Sequence, residues 1–136
     1  MRSLAAWLLL LATVPAQALA CGFQRGAVHD TNLYYELGSS VLATSGVQTL
    51  DVVATQARGC EILFVVSGHI DASELESNPG LSQARIEDVR RRLLAKGIAQ
   101  DDIIVRDMKF NSPALPTGPG SREPLNRRAH LVIVVF

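Results

Sequence analysis

Residues 60–68 (CEILFVVSG) form a near-continuous apolar run, and this run narrows the fold more than any other feature of the chain. Isoleucine and valine favour extended backbone, and no polar residue alternates with them after Glu61, so the run predicts a strand buried on both faces or strongly buried on one. Such a strand belongs in the middle of a sheet with helices packed on it. Immediately after it, His69 and Asp71 flank Ile70. Polar side chains at the end of a buried strand are where binding groups commonly sit.

The following segment reads as a helix. Asn78 stands in the N-cap position, Pro79 sits where its missing N–H is harmless, and Gly97 follows Lys96 at the far end. Leu81, Ile86, Val89, Leu93 and Leu94 make a buried stripe, leaving Glu87, Asp88, Arg90 and Arg91 largely outside. Arg85 borders the stripe near the N-terminal end, where it faces the Asp71 loop without being buried. A strand thus delivers a carboxylate, and a helix returns an amide (Asn78), a hydroxyl (Ser82) and a guanidinium (Arg85) to the same end. That combination suits a small zwitterionic group.

The rest of the chain supplies the frame. Residues 1–20 carry Arg2, a short apolar run at residues 5–14 and an Ala18-x-Ala20 cleavage pattern, which reads as an export signal. The run is too short for a bilayer span, which needs about 20 apolar residues. Residues 21–31 have no period and read as an N-terminal arm. Residues 32–37 (NLYYEL) fit a short strand ended by Gly38-Ser39-Ser40. Val47, Leu50, Val53, Ala54 and Ala57 repeat at helical spacing, with Thr44 or Ser45 as a cap and Gly59 as the stop. Residues 102–110 read as a strand, the Pro- and Gly-rich residues 111–123 as a loop, and residues 129–136 (AHLVIVVF) as a final strand. Alternating strands and helices that close on two strands predict an α+β domain over residues 32–136, two helices packed on one mixed sheet.

Charge and cysteines bound the function. Thirteen basic residues balance thirteen acidic ones, so the chain lacks the footprint of a nucleic-acid binder. Arg90-Arg91-Arg92 lies among Glu87, Asp88 and Lys96 and reads as a solvated helix face. Cleavage after Ala20 would free Cys21 to form a disulfide with Cys60 in an oxidising compartment. Read instead as a lipoprotein signal, the same residues would place lipid on Cys21, the only membrane attachment envisaged; the leucine usual three positions before that cysteine is here Ala18. A third reading leaves Cys60 as an inert buried thiol. His69-x-Asp71 invites a metal or catalytic reading, but His29 and His130 have no ligand-like spacing to it, and no nucleophile with an adjacent base is visible. Neither a cofactor nor catalysis is implied.

A larger pattern joins these pieces. Tyr34-Tyr35-Glu36-Leu37-Gly38-Ser39-Ser40 with Leu42, Gly68-His69-x-Asp71, Asn78-x-x-Leu81-Ser82-x-x-Arg85 with Val89 and Leu93, Gly97-Ile98, and Asn126-Arg127-Arg128-Ala129 follow one another in order. Together they resemble the OmpA-like C-terminal domain found in outer-membrane protein A and peptidoglycan-associated lipoproteins. The resemblance implies a βαβαββ two-layer sandwich and non-covalent binding of peptidoglycan through the diaminopimelate of its stem peptide. The roles it implies fall on Asp71 for the ligand's ammonium and Arg85 for its carboxylate, taken bidentately. Asn78 would stand at the pocket rim, and of Arg127 and Arg128 one would pair inward while the other, taken as Arg128, lies near the site.

The chain departs from that pattern in one place. Ile70 stands where members usually have Thr, Glu74 where they have Gly, and the Asp71-to-Asn78 spacing is one residue shorter than theirs. Gly38 replaces an Asp found in many members. Glu74 and Glu76 in a shortened loop would oppose a carboxylate-rich ligand. The alternative is therefore a module that keeps the scaffold for protein–protein contacts in an envelope assembly. Taken alone, Asp71 and Arg85 read as a loop cap and its ion-pair partner, Asn78 as an N-cap, and Ser82 as a hydroxyl serving local backbone.

Overall fold

The structure, a computed structural model, describes residues 20–136; all but the last residue of the expected export signal lie outside them. The elements in chain order are β1 (Val28–Tyr34), α1 (Thr44–Gln56), β2 (Ile62–His69), α2 (Ala72–Ser77), α3 (Leu81–Ala95), β3 (Ile103–Lys109) and β4 (Arg128–Val135). Single 3-10 turns at Gln100–Asp102 and Pro124–Asn126 lead into β3 and β4.

The apolar run becomes β2, and it lies where its composition demands. The sheet order is β1-β4-β2-β3, with β4 antiparallel to both its neighbours and β2 parallel to β3. The two most apolar strands, β2 and β4, therefore occupy the middle. Ile62, Phe64 and Val66 of β2 are buried with Leu131 and Ile133 of β4, whereas Leu63 and Val65 on the opposite face are half-buried. The helices thus cover one face of the sheet. Leu50, Ile86, Val89 and Leu93 complete the core from α1 and α3. Burying each such side chain is worth about 1.5–3 kcal/mol.

One glycine lets α3 lie close to the strand. A Cβ on Gly68 would stand 2.3 Å from the Ser82 carbonyl oxygen and 2.7 Å from Cγ1 of Ile86. Only hydrogen fits there, so the last turn of β2 and the first turn of α3 meet backbone to backbone.

The described residues depart from the sequence reading in several places. Strand β1 begins at Val28, inside the expected arm, because Val28 to Thr31 continue the antiparallel ladder with Val134 to Leu131. Helix α1 is preceded by Ala43 without a side-chain cap, so neither Thr44 nor Ser45 plays that part. The expected polar loop after Asp71 holds a further helix, α2. Asn78 is exposed and ends α2, its N–H donating to Glu74 O at 2.7 Å; Gly80 precedes α3 instead. A six-residue helix and its turn take up the Asp71–Asn78 spacing, so no room remains for Asn78 to start α3.

The charged face of α3 is also more ordered than expected. Asp88 is buried rather than outside, and it holds Arg91 at 2.7 Å and Arg92 at 3.1 Å, while Arg90 pairs with Glu87 at 3.3 Å. The basic run is thus neutralised by its own helix. Cys21 and Cys60 are joined by a disulfide with Cα atoms 4.7 Å apart, which ties the arm to the start of β2. Lipidation of Cys21 would need the same sulfur.

Candidate functional site

Strand β2 ends at an irregularity that aims the site. The ladder with β3 shifts register between Gly68 and His69, so that His69 pairs with Lys109, whose φ of 49° is left-handed. Bulges of this kind re-aim the residues that follow them. Past the shift, the His69 carbonyl accepts from Arg85 on α3 and the Asp71 N–H donates to Glu74 on α2.

Arg85 is fully buried, contrary to the expectation that it would face the loop in the open. All five N–H groups of its guanidinium have acceptors. Nη1 donates to His69 O at 2.9 Å and Glu74 Oε2 at 2.8 Å; Nη2 donates to Glu74 Oε1 at 2.6 Å and Glu36 O at 3.5 Å; Nε donates to Ser39 O at 2.9 Å. The guanidinium also lies 5.0 Å from the centroid of the Tyr35 ring, within cation–π range. Tyr35 is held in turn by its hydroxyl, which donates to Arg85 O at 3.3 Å. Burial first, and the Asp88 charge second, raise the pKa of that hydroxyl.

Glu74 supplies the carboxylate that Arg85 faces. Besides the two guanidinium nitrogens, its oxygens accept from Gly38 N at 2.9 Å and Asp71 N at 3.2 Å. Four donors from three parts of the chain therefore converge on one carboxylate that is 1% exposed. Gly38 takes a φ of 70°, the left-handed conformation glycine adopts cheaply, and this turns its N–H inward. The arrangement is a carboxylate cradle, occupied by the chain's own side chain.

Asp71 is equally engaged. Its Oδ1 accepts from Glu74 N and from the Ser73 hydroxyl, both at 2.8 Å, and its Oδ2 accepts from Arg127 Nη1 at 3.0 Å and Glu123 N at 3.1 Å. Burial pushes its pKa up, but these four bonds outweigh it and hold the carboxyl below its ordinary value. The bond from Glu74 N and the return bond from Asp71 N to Glu74 Oε2 form a capping box at the start of α2.

The structure therefore brings Asp71 and Arg85 to one network, joined through Glu74 rather than across an open pocket. Asn78 is outside it. So is Arg128, whose Nη1 and Nη2 donate to Leu125 O and Ser112 O, each at 3.4 Å. Arg127 is the arginine at Asp71. Ser82 donates to Pro79 O and to the Asp107 carboxylate on β3. The sequence reading missed Glu74 as partner and Tyr35, and it took Arg128 rather than Arg127 as the arginine near the site. A signal existed for the first, since Asp71-x-x-Glu74 is a capping-box spacing. Among the described residues no cluster of His, Cys, Asp and Glu is placed to hold a metal ion, and no helix is long and apolar enough to cross a membrane.

Comparison with known proteins adds to this picture. No family model matches the chain. It is 32% identical over 75 residues to an outer membrane protein of Gluconacetobacter diazotrophicus, covering 50% of this chain and 20% of that one. It is 28% identical over 109 residues to outer membrane protein A of Bordetella avium, covering 79% of this chain and 56% of that one. The chain thus spans only part of both curated relatives. Among solved structures, the OmpA-like domain of FopA1 from Francisella tularensis is similar with a TM-score of 0.65 at 16% identity, over 79% of this chain and 73% of that one. The peptidoglycan-associated lipoprotein from Burkholderia pseudomallei is similar with a TM-score of 0.64 at 23% identity, over 75% and 88%. In sheet, helices and likeness to these structures, the chain has the OmpA-like α+β fold.

Proposed function

We propose that the chain is an exported domain of the bacterial cell envelope, periplasmic and associated with the outer membrane, that binds peptidoglycan non-covalently. The names of its relatives, outer membrane proteins and a peptidoglycan-associated lipoprotein, support that placing. The ligand is the side-chain end of diaminopimelate in the stem peptide, with Arg85 taking its carboxylate and Asp71 its ammonium. The observation that carries the reading is the cradle itself. Arg85 Nη1 and Nη2, Asp71 N and Gly38 N already surround a carboxylate of the right charge and geometry. The role is binding, without catalysis. The disulfide supports a chain whose Cys21 carries no lipid.

Cosedimentation with diaminopimelate-type sacculi tests this. Pelleting of the wild-type protein that free diaminopimelate competes away supports it. Wild-type protein that stays in the supernatant at every sacculus concentration sinks it. Loss of binding in Arg85→Ala or Asp71→Ala counts only where circular dichroism shows an intact fold, because both residues also hold the structure together.

A second reading is favoured by one observation: both ligand-binding charges have internal partners. On that reading the scaffold serves protein–protein contacts in an envelope assembly. Ile70, 1% exposed, belongs to the core, so the contact surface would be Leu75 and Glu76 on the outside of α2. A specific protein partner that is lost on Glu76→Lys, with no sacculus binding by the wild type, selects this second reading.

A further inference from the structure

Glu74 occupies the cradle with unusual completeness. A carboxylate has about four acceptor sites in its plane, and Glu74 fills them with two guanidinium N–H groups and two backbone N–H groups, all inside the protein. None of these four donors lies within α2. Arg85 belongs to α3 and Gly38 to the turn after β1, while Asp71 lies past the end of β2 as the N-cap of α2. The carboxylate is brought to them by α2, an element of six residues.

Glu74 apart, that element is held at its start and exposed at its end. It carries one buried alanine, Ala72, and the Asp71 cap; Ser73 N donates to Ser121 O at 3.1 Å, and Leu75, Glu76 and Ser77 are exposed. Arg85, by contrast, is fixed independently of Glu74 by three backbone carbonyls and by the Tyr35 ring. The cradle is therefore preorganised by the fold, and its present occupant is mounted on a short outer helix.

We infer that Glu74 is a built-in plug: it closes a carboxylate-binding site made by Arg85, Asp71 N and Gly38 N, and an external carboxylate enters only when α2 swings out. The ligand class is a small carboxylate, with an ammonium nearby where the released Asp71 carboxylate meets it. This deepens the reading given under Proposed function and rests on its site, although the plug itself needs only a carboxylate and not a wall ligand. Substitution of Glu74 by a residue without a carboxylate leaves a guanidinium and two N–H groups facing an empty space of about the right size for acetate.

The experiment is chemical rescue of Glu74→Ala in the full mature chain, with acetate as the probe. Melting temperature is followed against acetate, with chloride at matched ionic strength as reference. The expected result is a lowered melting temperature in chloride and a rise of roughly 4 °C or more in high acetate, with the wild type unmoved. Glu74→Ala combined with Arg85→Met should lose the rescue. A Glu74→Ala protein that folds only in acetate supports the plug equally. Equal melting temperatures in acetate and chloride overturn it; so does failure to fold at any acetate concentration with Glu74→Asp also indifferent to acetate.

Sacculus binding separates the plug from the wall ligand. A gain of about tenfold or more for Glu74→Ala over wild type supports both, since an unplugged site needs no prior opening. Acetate rescue without any sacculus binding supports the plug and sinks the wall reading. Wild-type binding competed by diaminopimelate, with neither gain nor rescue in Glu74→Ala, overturns the plug and leaves the wall reading standing.

Discussion

Arg85 and Glu74 stand eleven residues apart and close a two-pronged ion pair at 2.8 and 2.6 Å inside the protein, with 0% and 1% of their side chains exposed. Removing one member of such a pair leaves a buried charge without its counterion. Arg85→Ala is expected to cost about 3–5 kcal/mol, while Arg85→Met with Glu74→Leu recovers most of it, because neither charge then has to be desolvated. Urea denaturation of the wild type, both single variants and the double variant checks this. A double variant as unstable as the worse single one would refute it.

Asp71 caps α2 and faces Arg127 at once. Asparagine can keep the cap but not the charge, so Asp71→Asn is expected to cost on the order of 3 kcal/mol at neutral pH. Although burial opposes ionisation, the four hydrogen bonds to the carboxylate hold its pKa below the ordinary 3.8. Its contribution is therefore full above pH 3.8 and is lost as pH falls through the folded-state value. The stability gap between wild type and Asp71→Asn should be constant from neutral pH down to about pH 3.8 and then narrow until pH has passed the folded-state value, as read by denaturant titrations at each pH.

His69 predicts a second pH dependence, at a higher range. Burial first, then the nearby charges of Arg128 and His130, lower its pKa from 6.5 to about 4, against a small opposing effect of a backbone bond to Asn111. The unfolded chain takes up a proton below pH 6.5 while the folded ring stays neutral until about pH 4, so stability falls as pH drops through that window. The loss amounts to at most about 3 kcal/mol. Among the described residues its Nδ1 has no hydrogen-bond partner, so an apolar replacement gives up only the bond to Asn111. His69→Leu should show a flatter stability profile between pH 6.5 and 4 than wild type does, and an unchanged slope would reject the assignment.

The disulfide links residues 39 positions apart, so it shortens the unfolded chain appreciably. Its reduction, or Cys60→Ser, is expected to lower stability by roughly 2–4 kcal/mol. Denaturation with and without reductant measures the difference. Mass spectrometry of the unreduced protein should give a mass two hydrogens below the reduced form, whereas an acyl adduct on Cys21 would exclude the bridge.

Gly68→Ala puts a methyl group 2.3 Å from the Ser82 carbonyl oxygen, a backbone atom that cannot rotate away. Helix α3 must shift off β2, at an expected cost of about 1–3 kcal/mol or more. The shift also moves Arg85, so a spectral change at Tyr35, the tyrosine stacked on it, should accompany the loss. Full stability in this variant would show that α3 does not pack as closely as stated.

Much of the frame could be read in the chain. Residues 60–68 identified a central strand because an unbroken apolar run has few other places to go, and the stripe Leu81, Ile86, Val89 and Leu93 identified α3 by its period. Boundaries were less legible. Val28 to Thr31 join β1 because β4 offers them partners, which no local pattern reveals. Helix α2 went unread because six residues are too few to show a period, although Asp71-x-x-Glu74 marked its start.

What the sequence determined by itself is the alternation of strand and helix, the centre of the sheet, and the presence of a carboxylate and a guanidinium at one end of β2. Periodicity and apolar runs carry that information because each depends only on neighbours along the chain. Tertiary structure alone decided who pairs with whom. Arg85 meets Glu74 instead of open solvent, and Asp71 meets Arg127 and not Arg128, because adjacent residues at the start of a strand point to opposite faces. A buried charge takes the nearest partner that restores its lost hydration, and only the packed fold sets which partner that is.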